Sequence, residues 1–324
     1  MTQPFFSICI PNYNRAEMLR RAMHSVLDQD FGDYELIVSD DASTDNAGEV
    51  VASFRDSRIR FCRNRVNMGL YPNHNVAWRE ASADWILFLH NDDVLNEGAL
   101  STCHRILVGG GALALSDLLV YYEGVGVGES PNWLDGIEAA LLHIRGGGKG
   151  VSGSCLSKRL LESLNGFETA PDVGYFADWD LFIRAGVAGY RLGLLESPLI
   201  SIGVHPGQEL ARWLFTGRYF CEAGSVLYRN TQHRVLLERI LSDMKDWSPS
   251  EIYKLLIFSC SFPDTSMAFQ VYQVARERLT RRFEQRALKH YYVRRLLGRT
   301  LYWLVVEGFY RLCRRQESLF PTAR

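Results

Sequence analysis

The sequence lacks closely spaced cysteines. Its seven cysteines are dispersed over 324 residues, and no two of them are separated by only two positions. An odd number of scattered cysteines argues against a disulfide framework and against a zinc site built on C-x-x-C pairs. We therefore expect reduced thiols, which are typical of a cytosolic protein.

Long apolar runs are also lacking. No stretch of 18 or more uncharged apolar residues occurs, so the sequence predicts no transmembrane helix. The N-terminal segment has no basic region, and its apolar run at residues 5–10 is short and interrupted by Ser7, unlike a secretory signal. These features predict a cytoplasmic protein.

The glycine-rich loops of several nucleotide-binding folds are absent. No G-x-G-x-x-G pattern follows the first predicted strand, which argues against a dinucleotide-dependent oxidoreductase. The turn at residues 11–15 contains no glycine, which argues against a sugar-phosphate nucleotidyltransferase. Lys149 follows three glycines, but Gly150 comes next, so the segment does not fit a phosphate-binding P-loop.

Charge is unevenly distributed although the net charge is only −1. Residues 276–315 contain 12 Lys/Arg and 3 Asp/Glu, a net charge of +9, whereas the first 275 residues carry about −10. Residues 286–315 combine arginines with aromatic residues, a composition typical of an amphipathic helix on the anionic inner face of a membrane. The alternative is a helix that packs its apolar side on the rest of the protein. No nucleic-acid-binding motif is present.

Strand and helix patterns alternate over the first 120 residues. Short apolar runs predict strands at residues 5–10, 34–39, 58–62, 84–89 and 112–122. Helical spacing of apolar residues predicts helices at 15–27, 44–54, 72–81 and 97–107. This alternation predicts an α/β fold with a doubly wound, mostly parallel sheet.

The later part of the chain is predicted to be more helical. Helices are expected at residues 157–164 and 178–188, with an extended segment at 191–202. From residue 209 onward the pattern is almost entirely helical, and Ser248, Pro249 and Glu251 form a capping box that predicts a helix start. We place a domain boundary at residues 207–210.

Polar residues follow each of the first four predicted strands, where ligands bind in doubly wound sheets. Asp92 and Asp93 come directly after the fourth strand. Carboxylates there can hold a divalent cation that bridges the protein to substrate phosphates. The alternative is that both residues cap the helix that follows.

The turns after the first two strands offer groups for a nucleotide. Asp41 can accept the imide N–H of a uracil-type base, whereas Ser43, Thr44 and Asp45 are more typical of a helix cap. Tyr13 offers an aromatic face and Arg15 a charge, although both also fit an ordinary surface turn.

Two later residues, Asp178 and His205, are candidate site residues that also have ordinary structural explanations. Asp178 opens a predicted helix, so it is either a general base for an acceptor hydroxyl or an acid stabilised by the helix dipole. His205 is either a contact to a metal or phosphate, or a structural histidine.

Taken together and in order, these segments resemble the family 2 glycosyltransferases. The resemblance covers residues 6–207 and rests on six segments: SICIPNYNR at 7–15, VSDDASTD at 38–45, NMGL at 67–70, NDD at 91–93, GFE at 166–168 and ADWDL at 177–181. Two positions depart from the family pattern: Asn91 stands at the first position of the D-x-D metal motif, and Ala177 stands where many members have Glu.

The resemblance implies an inverting glycosyltransferase with the GT-A fold. Residues 1–208 would be the catalytic domain, with a donor half at 1–120 and an acceptor half at 121–208. Residues 209–324 would form a helical region that ends in the basic arm. The alternative is a non-catalytic scaffold that kept the fold and binds sugars or nucleotides.

The resemblance also implies roles for individual residues. Asp178 would be the catalytic base, and Asp93 with His205 would bind Mn²⁺ or Mg²⁺. The donor, a nucleotide-diphospho-sugar, would contact Pro11, Tyr13, Arg15, Asp41, Asn67 and Asp92. The acceptor would be a glycan or a lipid-linked sugar in surface polysaccharide biosynthesis.

Overall fold

The computed structural model describes residues 3–109, 118–121, 132–134, 136–147, 150–195, 199–203, 205, 217–259, 262, 271 and 273–274. The chain divides into two compact units. The first comprises residues 1–140, 149–169 and 181–204, and the second comprises 141–148, 170–180 and the chain from 205 onward. The predicted basic arm at residues 286–315 lies outside the described residues.

The first unit begins with four parallel strands. They are β1 (Phe6–Asn12), β2 (Tyr34–Asp40), β3 (Ile59–Arg63) and β4 (Trp85–Phe88), and they are connected by α1 (Ala16–Leu27), α2 (Ala47–Ser53) and α3 (Leu70–Arg79). Every residue of β1, β2 and β4 is buried, as expected for a sheet covered on both faces. The predicted parallel α/β core is confirmed.

Shorter elements follow. They are β5 (Val94–Leu95), α4 (Ala99–Gly109), β6 (Leu118–Tyr121), β7 (Asn132–Leu134), α5 (Gly136–Leu142), β8 (Cys155–Ser157), α6 (Lys158–Ser163), α7 (Ala177–Val187), β9 (Leu192–Leu195) and β10 (Ile200–Ser201). Of these, β6, β7, β8 and β9 extend this sheet, and β5 and β10 pair in a separate two-stranded sheet. Among the described residues the main sheet has the order β3-β2-β1-β4-β8-β6-β9-β7. β8 and β7 run antiparallel to their neighbours, so the sheet is mixed.

The described residues of the second unit are mainly helical. They include α8 (Gly217–Thr231), α9 (Arg234–Asp243) and α10 (Pro249–Ser259). The predicted capping box is confirmed, because Ser248 Oγ accepts from Glu251 N at 3.3 Å and Glu251 Oε2 accepts from Ser248 N at 2.7 Å. No described helix of either unit is long and apolar enough to cross a membrane.

Two predicted helices begin at different residues in the structure. α2 begins at Ala47 rather than 44, because Thr44 and Asp45 are hydrogen-bonded to the turn after β1. α3 begins at Leu70 rather than 72, so Pro72 lies within its first turn, where a missing N–H costs nothing. Of the predicted strand at 112–122, residues 118–121 form β6, and residues 112–117 and 122 lie outside the described residues.

A glycine fixes the loop after α6 against α3. Gly166 has φ +67°, and a Cβ there would lie 2.6 Å from Trp78 Nε1 and closer still to Asn75 Oδ1. Asn75 Oδ1 accepts from Phe167 N at 3.0 Å, and Asn75 Nδ2 donates to Phe167 O at 2.8 Å. The close approach explains why a glycine opens the segment 166–168.

We predict that Gly166→Ala is far more destabilising than Gly189→Ala. Both glycines have positive φ, but a Cβ at Gly189 meets nothing within 4 Å. Backbone strain alone costs about 1–2 kcal/mol, which both variants share. The overlap with Asn75 and Trp78 should add about 1–3 kcal/mol in Gly166→Ala alone. Urea unfolding of both variants measures the difference, and equal losses would contradict this packing.

Candidate functional site

A buried asparagine connects the turns at the carboxyl ends of β1, β2 and β4. Asn12 Nδ2 donates to Asp40 Oδ1 at 3.0 Å, and Asn12 Oδ1 accepts from Asn91 Nδ2 at 2.7 Å. The backbone carbonyl of Asn12 accepts from Asp41 N at 2.8 Å. Three segments that lie up to 79 residues apart in sequence are therefore joined at one edge of the sheet.

The turn after β1 interlocks with the acidic turn after β2. Asn14, with φ 50°, accepts from Thr44 N at 2.7 Å, and Ser43 Oγ accepts from Asn14 N at 2.8 Å. Asp45 accepts from Ala16 N at 2.9 Å, at the start of α1. These bonds fix the backbone beside Tyr13 and Arg15, the two predicted nucleotide contacts that precede α1.

Two of the predicted nucleotide contacts differ in exposure. Tyr13 lies between Asn12 and Asn14 and is 45% exposed, so its ring is accessible for stacking. Pro11 is buried inside β1 opposite Ser39. Of the two, Tyr13 is the side chain that a ligand can reach.

The carboxylate of Asp41 is hydrogen-bonded to the turn that precedes α3. This buried carboxylate accepts from Met68 N at 2.9 Å, Gly69 N at 2.8 Å and Asn64 Nδ2 at 2.9 Å. Asn67 completes the turn, because its Oδ1 accepts from Gly69 N at 3.0 Å. Asp41 and Asn67 are thus brought together at the start of α3, and a contact to a base stays a prediction.

Three potential metal ligands converge after β4. His90, Asp92 and Asp93 each offer one ligand atom, and these atoms all lie within 4.8 Å of one another. Carboxylate oxygens suit Mg²⁺ and Mn²⁺, and an imidazole nitrogen suits the later divalent metals. The residues present therefore fit a divalent cation.

Neighbouring groups orient both carboxylates. Asp93 accepts from Ser152 Oγ at 2.5 Å and from Gly203 N at 2.9 Å. Arg15 Nη1 donates to Asp92 Oδ2 at 2.7 Å. Asp93 is thus held by neutral donors, whereas Asp92 pairs with a cation that is 25% exposed.

His90 contacts a second, fully buried histidine. The Nε2 atoms of His90 and His74 lie 3.2 Å apart, and His74 Nδ1 lies 2.8 Å from Leu70 O. Complete burial and, secondarily, the neighbouring His90 lower the pKa of the His74 imidazole to about 3. His74 is therefore neutral at physiological pH.

The two remaining predicted residues belong to the second unit. Asp178 is half-buried in the first turn of α7, where its Oδ1 accepts from Trp179 N at 2.7 Å. His205 is also partly buried. Both assignments rest on the family resemblance.

Sequence reasoning missed part of the cluster. It placed Asn91 at the first position of the metal motif, but Asn91 is buried and donates to Asn12. His90, one residue earlier, is the side chain that joins Asp92 and Asp93. Its place directly after an apolar strand was the available signal, whereas nothing local pointed to Ser152 or Gly203.

The mostly parallel sheet, with acidic turns at the carboxyl ends of its strands, is that of the GT-A fold. Residues 7–149 match the family Glycosyl transferase family 2.

Curated relatives match part of the chain. A GalNAc(5)-diNAcBac-PP-undecaprenol beta-1,3-glucosyltransferase of Campylobacter jejuni is 37% identical over 124 residues, 37% of this chain and 40% of the relative. An Escherichia coli UDP-Glc:alpha-D-GlcNAc-diphosphoundecaprenol beta-1,3-glucosyltransferase, WfgD, is 39% identical over 88 residues, 27% of this chain and 35% of the relative. The chain thus matches between about a third and two fifths of the length of these relatives.

Solved structures extend the fold comparison to nearly the whole chain. S. aureus TarS 1–349 in complex with UDP-GlcNAc has a TM-score of 0.63 and 17% identity, covering 95% of this chain and 92% of TarS 1–349. The Pyrobaculum calidifontis mannosyltransferase PcManGT in complex with GDP-Man and Mn²⁺ has a TM-score of 0.53 and 15% identity, covering 96% and 88% of the two chains. At these identities the comparison establishes the fold.

Proposed function

We propose that this protein is an inverting, metal-dependent glycosyltransferase that uses a nucleotide-diphospho-sugar donor. The observation that carries the proposal is the convergence of His90, Asp92 and Asp93 at the sheet edge that also carries Asp41. An acidic cluster at the carboxyl ends of parallel strands is where a cation and the phosphates of a nucleotide bind in this fold class.

The donor half supplies binding and orientation. Tyr13 offers an exposed ring for the base, and Arg15 is placed by Asp92 as a positive charge for the diphosphate. We propose that Asp41 and Asn67 shape the base site through the turn that they hold. His90, Asp92 and Asp93 would hold a Mn²⁺ or Mg²⁺ ion, which would neutralise the charge that develops on the diphosphate leaving group.

The reaction requires a base on the acceptor side. We propose that Asp178 removes the proton from an acceptor hydroxyl, whose oxygen then attacks the anomeric carbon from the face opposite the diphosphate. This displacement inverts the anomeric configuration. We also propose, from the resemblance alone, that His205 contacts the cation or the diphosphate, and that residues 1–208 form the catalytic domain.

The acceptor is proposed to be a glycan or a lipid-linked sugar. Two curated relatives are named for glucosyl transfer to undecaprenol-diphosphate-linked saccharides, and TarP of S. aureus for N-acetylglucosaminyl transfer to poly(ribitol-phosphate). These names support surface polysaccharide biosynthesis as the setting. We propose that the protein acts at the cytoplasmic face of the membrane.

We predict that one nucleotide binds in a Mn²⁺-dependent manner and that Asp93→Asn abolishes this dependence. Calorimetric titration of UDP, GDP and dTDP, each with and without Mn²⁺, identifies the base. Asp84→Asn is the matched control, because Asp84 is exposed at the opposite end of β4. It should leave binding unchanged. If no nucleotide binds under either condition, the protein is better described as a non-catalytic scaffold.

We predict that Asp178→Asn lowers the transfer rate at least about 100-fold, the usual contribution of a general base. Donor binding should stay within about two-fold of the wild type, since the substitution leaves the donor half unchanged. Asp172→Asn, which alters an exposed carboxylate paired with Arg229 in the same unit, is the control. Retained transfer or lost donor binding in Asp178→Asn would refute the assignment.

The basic arm suggests a membrane contact. We propose that residues 286–315 bind anionic lipid, since this segment carries much of the +9 charge of residues 276–315. Replacing Arg294 and Arg295 by Gln in the full chain should weaken sedimentation with phosphatidylglycerol vesicles by about 30-fold, at about 1 kcal/mol per arginine. Replacing Arg234 and Arg239, which are exposed on α9, is the charge-matched control. If both pairs of substitutions weaken sedimentation equally, residues 286–315 do not bind the vesicles specifically.

A further inference from the structure

We propose that His90 enters the cation site through its Nδ1 atom, and that His74 positions it by accepting a hydrogen bond from His90 Nε2. The inference rests on the proposed metal-dependent function and goes beyond it. It assigns a nitrogen ligand where an acidic metal motif would supply only oxygens, and it assigns a role to a buried histidine on α3.

The direction of each hydrogen bond follows from the partner at the far end. His74 Nδ1 lies 2.8 Å from the carbonyl oxygen of Leu70, and a carbonyl can only accept. Because His74 is fully buried, its ring carries a single proton, and this proton lies on Nδ1 opposite the Leu70 carbonyl. Nε2 of His74 therefore has a lone pair. His90 Nε2 lies 3.2 Å from that lone pair and must donate to it.

This series of hydrogen bonds, from Leu70 through His74 to His90, fixes the tautomer of His90. A neutral imidazole carries one N–H, so donation from Nε2 leaves Nδ1 with a free lone pair. The two rings meet edge-on, with centroids 5.2 Å apart and planes at 87°. This tautomer matches the coordination chemistry of metal-bound histidines, which donate the other ring N–H to a neighbouring acceptor.

Further contacts hold both residues in place. His90 N donates to Ser152 Oγ at 3.0 Å, and Ser152 Oγ in turn donates to Asp93. The ring of His74 packs against Tyr71, Phe88 and Phe167 in a fully buried position. The histidine and the carboxylate of the cluster are thus oriented by one connected set of bonds.

A nitrogen ligand changes which cation the site prefers. Imidazole suits transition metals, whereas Mg²⁺ takes oxygen ligands almost exclusively. We therefore expect the wild-type protein to bind Mn²⁺ in preference to Mg²⁺. His90→Asp converts the cluster to an all-carboxylate set. This variant should show a smaller preference for Mn²⁺ over Mg²⁺ than the wild type.

Pulsed electron paramagnetic resonance of Mn²⁺ tests the ligand directly. Full-length wild-type protein loaded with Mn²⁺, alone and with UDP, GDP or dTDP, should show coupling to a histidine nitrogen. The coupling should change to the nitrogen-15 pattern when only histidine is labelled, and it should vanish in His90→Asp. The labelling arm requires no variant and is therefore independent of folding defects.

A second arm tests His74. His74→Phe keeps the aromatic packing and removes the acceptor, so Mn²⁺ affinity should fall by about ten-fold or more, with weaker nitrogen coupling. His104→Phe makes the same change in a ring that packs on Phe5 and Phe31, and should leave both measurements unchanged. A purely structural role for His74 would lower stability in His74→Phe without changing Mn²⁺ affinity or nitrogen coupling.

The outcomes separate this inference from the proposed function. Mn²⁺ binding without histidine nitrogen, or with nitrogen coupling that persists in His90→Asp, would overturn the assignment of His90 and leave a metal-dependent transferase in place. Wild-type affinity in His74→Phe would overturn the role of His74. Absence of Mn²⁺ binding under every condition would overturn this inference together with the metal dependence of the proposed function.

Discussion

The side chain of Asn12 is the constraint on which the site depends. It is 1% exposed and forms hydrogen bonds with the turns after both neighbouring strands, through Asp40 and Asn91. A buried amide that loses a partner costs about 1–3 kcal/mol, so the three turns cannot shift independently. The positions of Asp41 on one side and of the cation cluster on the other are therefore set together.

Backbone and hydroxyl donors carry most of the electrostatic compensation at this edge. Asp41 is stabilised by the N–H groups of Met68 and Gly69, and Asp93 by Ser152 and Gly203 N. Neutral donors fix a carboxylate without cancelling its charge, so an acid held in this way retains its attraction for a cation. Asp92 is instead paired with Arg15, and this pair is accessible enough for an incoming phosphate to compete for the guanidinium.

The sequence predicted those strands and helix ends that depend on residues close together along the chain. Continuous apolar runs marked β1, β2 and β4, and Ser248 with Glu251 marked the start of α10, because each involves residues adjacent along the chain. Three-residue strands such as β7 and β8 show no periodicity, so the antiparallel part of the sheet was missed. The contacts of Asp93 with Ser152 and Gly203 bridge 59 and 110 residues, and no local rule anticipates such pairings.

Helix α3 contacts three separate parts of the first unit. Its N-terminus is held by the turn on Asp41, and two adjacent residues in its middle, His74 and Asn75, contact His90 and the segment 166–168. The three contacts come from one helix of ten residues. Because all three contacts lie on one helix, the position of α3 fixes the turn on Asp41, the ring of His90 and the loop at Phe167 relative to one another.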